Sequence, residues 1–133
     1  MQSTTVSEIK IGGVLHIKVL EGRLFRDTEV FGKMDPYCIL TTKEHKFKTR
    51  VCQGGGKNPK WTDQFEMKVY DLHEEIKFTI MDEDTVSDDT VGYGLVKVSS
   101  LCINGGVHDW FSITYKNKLA GQILLETKYV VEV

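Results

Sequence analysis

Hydrophobic residues recur at every second position along this chain, in short runs broken by polar turns. From Gly13, Leu15, Ile17 and Val19 alternate with His16 and Lys18, ending at Glu21-Gly22. Alternation of this kind puts one face of an extended segment in a core and the other in water, so it predicts a β-strand. The same period predicts strands over 37–42 and 45–51; in the second, Phe47, Thr49 and Val51 share one face and Lys46, Lys48 and Arg50 the other. Trp61 introduces a fourth strand, where Phe65, Met67 and Val69 alternate with Glu66 and Lys68. Further strands are predicted over 75–82, 92–98, 108–113 and 119–130, with Trp110 or Phe111, Ile123 and Leu125 as core candidates. Residues 99–106 read as a turn holding one short helical segment, and 1–10 as a loose lead-in. Eight short period-2 segments without an amphipathic helix predict an all-β fold, an eight-stranded antiparallel β-sandwich. No repeat, low-complexity stretch or linker divides the chain, so residues 1–133 form one domain with a core over about 11–130.

The turns are less ordinary than the strands. Residues 81–92 follow the strand Ile76-Lys77-Phe78-Thr79-Ile80 and carry five carboxylates, Asp82, Glu83, Asp84, Asp88 and Asp89. Period-2 geometry directs Asp82 and Asp84 the same way. Like charges about 7 Å apart repel by roughly 2 kcal/mol at an effective dielectric near 20. A cation among them would remove that repulsion, and hard cations such as Ca²⁺ take six to eight oxygens from carboxylates and carbonyls. A solvated acidic turn is the plainer alternative, because Asp and Ser favour turns on their own. Residues 24–36 form a second irregular stretch with clustered carboxylates, punctuated by Gly32 and Pro36. Gln53-Gly54-Gly55-Gly56-Lys57-Asn58-Pro59-Lys60 is glycine-rich, but no GK[ST] follows and no helix opens after it, so it reads as a plain connection.

Composition narrows the function classes. The formal net charge of −2 and a short basic stripe disfavour nucleic-acid binding. No apolar run approaches the ~20 residues that span a bilayer. The opening Met-Gln-Ser-Thr-Thr-Val-Ser-Glu lacks a signal peptide's basic and apolar regions, and Gln2 stands where myristoylation needs glycine. Cys38, Cys52 and Cys102 have no zinc-ligand spacing and fit reduced thiols in the cytosol. A cytoplasmic protein with peripheral membrane contact is expected.

Several segments together resemble one family. Gly13-Val14-Leu15-His16-Ile17-Lys18-Val19 and Gly32-Lys33-Met34-Asp35-Pro36-Tyr37 resemble the first strand and the Asp-Pro-Tyr signature of the C2 domain. Lys46-Phe47-Lys48-Thr49 is similar to its Lys-x-Lys-Thr strand, and Asn58-Pro59-Lys60-Trp61-Thr62-Asp63-Gln64-Phe65 to its Asn-Pro-x-Trp segment. Met81-Asp82-Glu83-Asp84 with Asp88-Asp89-Thr90-Val91-Gly92 resembles its third calcium-binding loop, and Trp110-Phe111 and Gly121-Gln122-Ile123-Leu124-Leu125 its last two strands. The match runs in order over residues 11–130, and the size is similar to small single-C2 proteins of plants and protists.

The resemblance implies a sandwich of type II topology whose acidic loops meet at one end and bind Ca²⁺. Carried over by position, Asp35, Asp82 and Asp84 match the family's ligands. The first-loop ligand falls on Glu29, where the family usually has Asp, with Asp27 a weaker substitute. The last falls on Asp89, with Asp88 able to slide into the role because the loop is one residue short. Bound Ca²⁺ would dock the domain on anionic phospholipid such as phosphatidylserine. Val30, Phe31 and Val86 at the loop apices would enter the acyl boundary, and Lys46, Lys48 and Arg50 would add charge attraction. Strand two has Ile39 and Thr41 where phosphoinositide-binding members carry lysines, and Met81 stands where they carry an aromatic, so general anionic-lipid affinity is expected. Two competing functions are weighed. One is a calcium-independent C2 module that binds a protein partner. The other is an enzyme, disfavoured because His16, His45, His73 and His108 form no catalytic or zinc pattern and only His73 has any prospect of nearing the acidic loops.

Overall fold

The computed structural model describes residues 8–132, so most of the expected lead-in, including Gln2, lies outside the described residues. Eight strands follow one another: β1 (Val14–Leu24), β2 (Pro36–Thr41), β3 (Lys46–Lys48), β4 (Gln64–Lys68), β5 (Glu75–Asp82), β6 (Asp89–Lys97), β7 (His108–Tyr115) and β8 (Lys118–Val130). A short helix, α1 (Val98–Cys102), running into a 3₁₀ turn at Ile103–Gly105, fills the predicted 99–106 turn. All pairings are antiparallel, in the order β3-β2-β5-β6-β7-β8-β1-β4. The seam between β6 and β7 is the narrowest: the two strands meet in register only at Tyr93 and Thr114. Four strands on each side of that seam form the two layers of a sandwich.

Burial follows the period read from the sequence. Leu15, Ile17 and Val19 of β1 are sealed, as are Ile123 and Leu125 of β8 and Ile76, Phe78 and Ile80 of β5. Burying such side chains contributes about 1.5–3 kcal/mol each. In β7 the core residue is Ile113; Trp110 and Phe111 are only half-buried, and Arg23 stacks 4.1 Å above the Trp110 ring. Trp61 is buried, and its indole N–H donates to the Pro36 carbonyl, which fixes the Asn-Pro-x-Trp segment under β2.

Strand bounds depart from expectation at β3, which ends at Lys48 where 45–51 is expected, and where bulges act. A bulge between Val19 and Glu21 lets β1 run on to Leu24. A second, between Ile80 and Met81, admits buried Val91 as an extra residue in β6 and carries that strand back to Asp89. Such insertions bend a strand and re-aim its side chains. Gly94 sits where an added Cβ would lie 2.6 Å from the Ser112 carbonyl oxygen, so the seam closes only because that position is glycine.

The topology sorts the loops. Pro36, Asp82 and Asp89 are paired neighbours, and Leu24, Lys57 and Ala120 are tied to the same end by Leu24 N–H to Lys57 O and Phe25 N–H to Ala120 O. The β1–β2, β3–β4, β5–β6 and β7–β8 connections therefore meet at one end. β1 begins and β8 finishes together at the other, where Val14 pairs with Val130.

Candidate functional site

The centre of the loop end is Asp82. It continues the inward row Ile76, Phe78, Ile80 of β5, so the strand period carries a carboxylate onto the core face, and it is fully buried. A buried charge needs hydrogen-bond partners. The Asp35 backbone N–H donates to Oδ1 at 2.7 Å and the Thr28 hydroxyl to Oδ2 at 2.8 Å. Across the ladder Asp82 is directly opposite Asp89, an arrangement that is unfavourable for like charges. Glu29, half-buried in the β1–β2 loop, shares a hydrogen bond with Asp82; that bond, partial burial and the fields of Asp82, Asp84 and Asp89 push its carboxyl up to about 7. Neighbouring carboxylates disfavour one another's charged forms, which is why the Glu29 value rises.

The other carboxylates ring this pair. Asp35 Oδ1 accepts the Gly54 N–H at 2.7 Å, and the Gln53 amide reaches Glu83 at 3.4 Å. Asp84 lies beyond the end of β5, exposed, so the strand period stops at Asp82 and does not direct it; its Oδ1 caps its own turn through the Thr85 N–H. Asp88 accepts the Asp84 N–H at 3.0 Å and the phenol O–H of buried Tyr37. The Tyr37 and Asp84 donors, with Lys48 nearby, lower the Asp88 pKa, while burial and the Asp88 hydrogen bond push Tyr37 up to about 12. Asp89 belongs to β6 and not to the loop.

The structure thus brings Glu29, Asp35, Asp82, Asp84, Asp88 and Asp89 to one end. The oxygens of Asp35, Asp82, Asp84 and Asp88 accept from backbone N–H, hydroxyl and phenol donors, and among the described residues no three His, Cys, Asp or Glu side chains stand ready-made around a metal position. The donor set, all carboxylate oxygen from two loops and the adjoining strand ends, fits a hard cation such as Ca²⁺. Closing around a cation would exchange some of these internal bonds for metal contacts.

Beside the carboxylates, Val30, Phe31 and Val86 are 88%, 89% and 94% exposed, so none of them packs under its loop. The basic residues behave differently from one another. Lys46 and Lys48 project from β3, with Lys48 Nζ 4.3 Å over the Tyr37 ring. Arg50 lies past the strand and is paired with Asp63, its Nε 3.6 Å from Oδ2 and its backbone N–H on the same oxygen.

Sequence reasoning missed three contributors. Thr28 carried no signal beyond its place between Asp27 and Glu29. The glycine-rich connection, read as a plain loop, supplies Gly54 to Asp35. Tyr37 sits in the Asp-Pro-Tyr signature, yet its bond to Asp88 spans 51 residues. The histidines are all at the other end: His73 precedes β5, His45 follows β2, and His16 and His108 lie in the opening turns of their strands. Among them, His16 pairs with Glu66 at 3.2 Å.

Two four-stranded layers with carboxylates and exposed apolar apices gathered at one end define a C2 domain. The C2 domain family model matches residues 13–113, and the chain belongs to that family. It is 27% identical over 128 residues to Synaptotagmin-5 of Arabidopsis thaliana, 94% of this chain and 22% of that protein. It is 28% identical to the 16 kDa phloem protein 2 of the same plant, over 71% of this chain and 65% of the relative. Elicitor-responsive protein 3 of rice is 23% identical over 92% of this chain and 86% of its own. The chain thus spans less than two thirds of the first two relatives. Among solved structures, a single C2 domain of a plant Extended Synaptotagmin 1 superposes with a TM-score of 0.79 at 21% identity, covering 94% of this chain and 99% of that one. The calcium-bound tandem C2 domains of Extended-Synaptotagmin 2 give 0.77 at 24%, over 90% of this chain and 46% of that one.

Proposed function

We propose that this domain docks on anionic phospholipid membranes when Ca²⁺ binds its loop end, and that it is not an enzyme. The observation that carries the reading is the directly opposed pair Asp82 and Asp89, ringed by Glu29, Asp35, Asp84 and Asp88 beside almost fully exposed Val30, Phe31 and Val86. A metal-free loop end repels anionic head groups. When bound, Ca²⁺ supplies positive charge and coordination positions for phosphate oxygens. The chain's own part is to hold Asp82 fixed through Thr28 and Asp35, to let Asp84 and Asp88 turn from their internal donors, and to present Phe31 and Val30 to the acyl boundary. The calcium-bound state of the Extended-Synaptotagmin 2 C2 domains supports the cofactor by analogy. Every histidine lies at the far end, away from the carboxylates, which supports a binding role over an enzymatic one.

A second reading, a calcium-independent module for a protein partner, is favoured by one observation: Asp82 has both oxygens engaged by the protein itself. Titration calorimetry with Ca²⁺, then sedimentation with phosphatidylserine vesicles with and without Ca²⁺, separates the two. The proposal expects heat of binding and calcium-dependent sedimentation, both lost in Asp82→Asn with Asp84→Asn. No heat at millimolar Ca²⁺ and no calcium-dependent sedimentation would overturn it in favour of the protein-partner reading.

A further inference from the structure

Beside the acidic loops, on the same end, stands a hairpin of opposite charge. β7 and β8 are joined at Tyr115-Lys116-Asn117-Lys118, where Tyr115 pairs with Lys118. Lys116 (φ 49°) and Asn117 (φ 65°) both adopt the left-handed conformation of a tight two-residue hairpin turn, so the tip is geometrically fixed. Both lysines are exposed at that tip. Leu119, next in the chain, is 55% exposed, and so is Phe25 at the facing end of β1, whose N–H bonds to Ala120 O. Arg26 braces the hairpin against the start of β6: its guanidinium stacks 3.8 Å from the Tyr115 ring centre and its Nε reaches the Thr90 carbonyl at 3.4 Å. Thr90 adjoins Asp89. Basic tip, exposed apolar pair and carboxylate loops therefore form one continuous rim.

We infer that the β7–β8 hairpin is a second, calcium-independent contact for the anionic phospholipid surface, with Lys116 and Lys118 on the head groups and Leu119 and Phe25 at the apolar boundary. Charge complementarity selects the partner: two exposed lysines attract an anionic leaflet, and an adjacent exposed Leu–Phe pair suits a surface that is polar outside and apolar just beneath. The hairpin keeps its charge when the carboxylates carry no cation. It therefore holds the domain loosely and with the loops already facing the bilayer, so that Ca²⁺ strengthens an encounter and does not have to create it. The inference rests on the membrane reading but not on its calcium dependence.

The test compares the parent protein with Lys116→Asn/Lys118→Gln and with Leu119→Ser, on phosphatidylserine/phosphatidylcholine vesicles, with and without Ca²⁺, at low and physiological salt. Asparagine tolerates the left-handed turn, so the double variant keeps its fold, which thermal unfolding checks. Lys68→Gln/Lys97→Gln, at the far end, is a control of equal net charge. Expected is weak, salt-sensitive binding without Ca²⁺ that falls about fivefold per lysine lost, on the order of 20-fold for the pair, with the control unchanged. Leu119→Ser weakens binding in both conditions, and calorimetric Ca²⁺ affinity in solution stays the same for every variant. Equal binding by the parent and the hairpin variants overturns the inference while leaving the membrane reading standing. Equal loss in the far-end control also overturns it, since net charge and not the hairpin would then govern. A parent that binds no vesicles in any condition overturns the membrane reading itself.

Discussion

Asp82 does two things, and Asp82→Asn separates them. As an acceptor it holds the loop end together; as a charge it belongs to the cation site proposed above. The asparagine Oδ1 keeps the bond from the Asp35 N–H, and its Nδ2 turns to the Thr28 hydroxyl oxygen, so neither group is stranded. Two charge-assisted bonds become neutral ones, at a cost of about 1–2 kcal/mol. Against this, the repulsion from directly opposed Asp89 disappears: about 3 kcal/mol at the ~5 Å spacing of opposed residues and a dielectric of 20, and about 1–2 after solvent screening. The two nearly cancel. In EGTA the variant should unfold in urea within about 1 kcal/mol of the parent. In Ca²⁺ at 100 times its dissociation constant the parent gains about 2.7 kcal/mol. For 133 residues that is a rise of about 10 °C in Tm, which the variant should lack. Asp82→Ala, by contrast, strands the Asp35 N–H and the Thr28 hydroxyl and should cost about 2–4 kcal/mol even in EGTA. An equal Ca²⁺-induced rise in parent and Asp82→Asn, or collapse of Asp82→Asn without Ca²⁺, would refute the reasoning.

Further outcomes are expected. Phe31→Ser removes an exposed ring from the loop apex, so it should leave Ca²⁺ calorimetry unchanged while weakening vesicle binding by about 1.5–3 kcal/mol, on the order of 10- to 100-fold in sedimentation. Thr49→Val deprives the buried Cys38 N–H of its 2.9 Å acceptor, and should lower stability by about 1–3 kcal/mol in urea melts without altering vesicle binding. Burial pushes the Cys102 thiol up to about 12 and Cys38 higher still, so both stay protonated at pH 8. A disulfide reagent should label half-exposed Cys52 first and the other two only with unfolding; simultaneous labelling of all three in the native protein would contradict the burial.

Strand period makes most of the sandwich legible, because the core faces are written as uninterrupted alternation: the predicted bounds of β5 are the observed ones, Glu75–Asp82. Bulges are invisible to it, since an extra residue such as Val91 breaks the count without changing composition. That is why the period leaves Asp89 outside a strand that it in fact opens. The ligand candidates come from charge density and motif position, both local signals. Thr28, Gly54 and Tyr37 act on carboxylates 19 to 54 residues away, through pairings that only the folded topology creates. Thr49 shows both sides: the period puts it on the face opposite the lysines, and it is buried, but that its hydroxyl bridges Cys38 N–H and the Arg50 carbonyl is set by the fold alone.

β1 begins and β8 finishes side by side at the end away from the acidic loops. Any polypeptide joined before the one or after the other leaves from that side, and a pull on it against loops held by a bilayer runs parallel to the strands. The ladder between β1 and β8, paired from Val14 to Leu24, then bears load in shear, with its hydrogen bonds strained together and not peeled one by one. Under the docking proposed above, the same strand ladder that shapes the core would carry the tether's load.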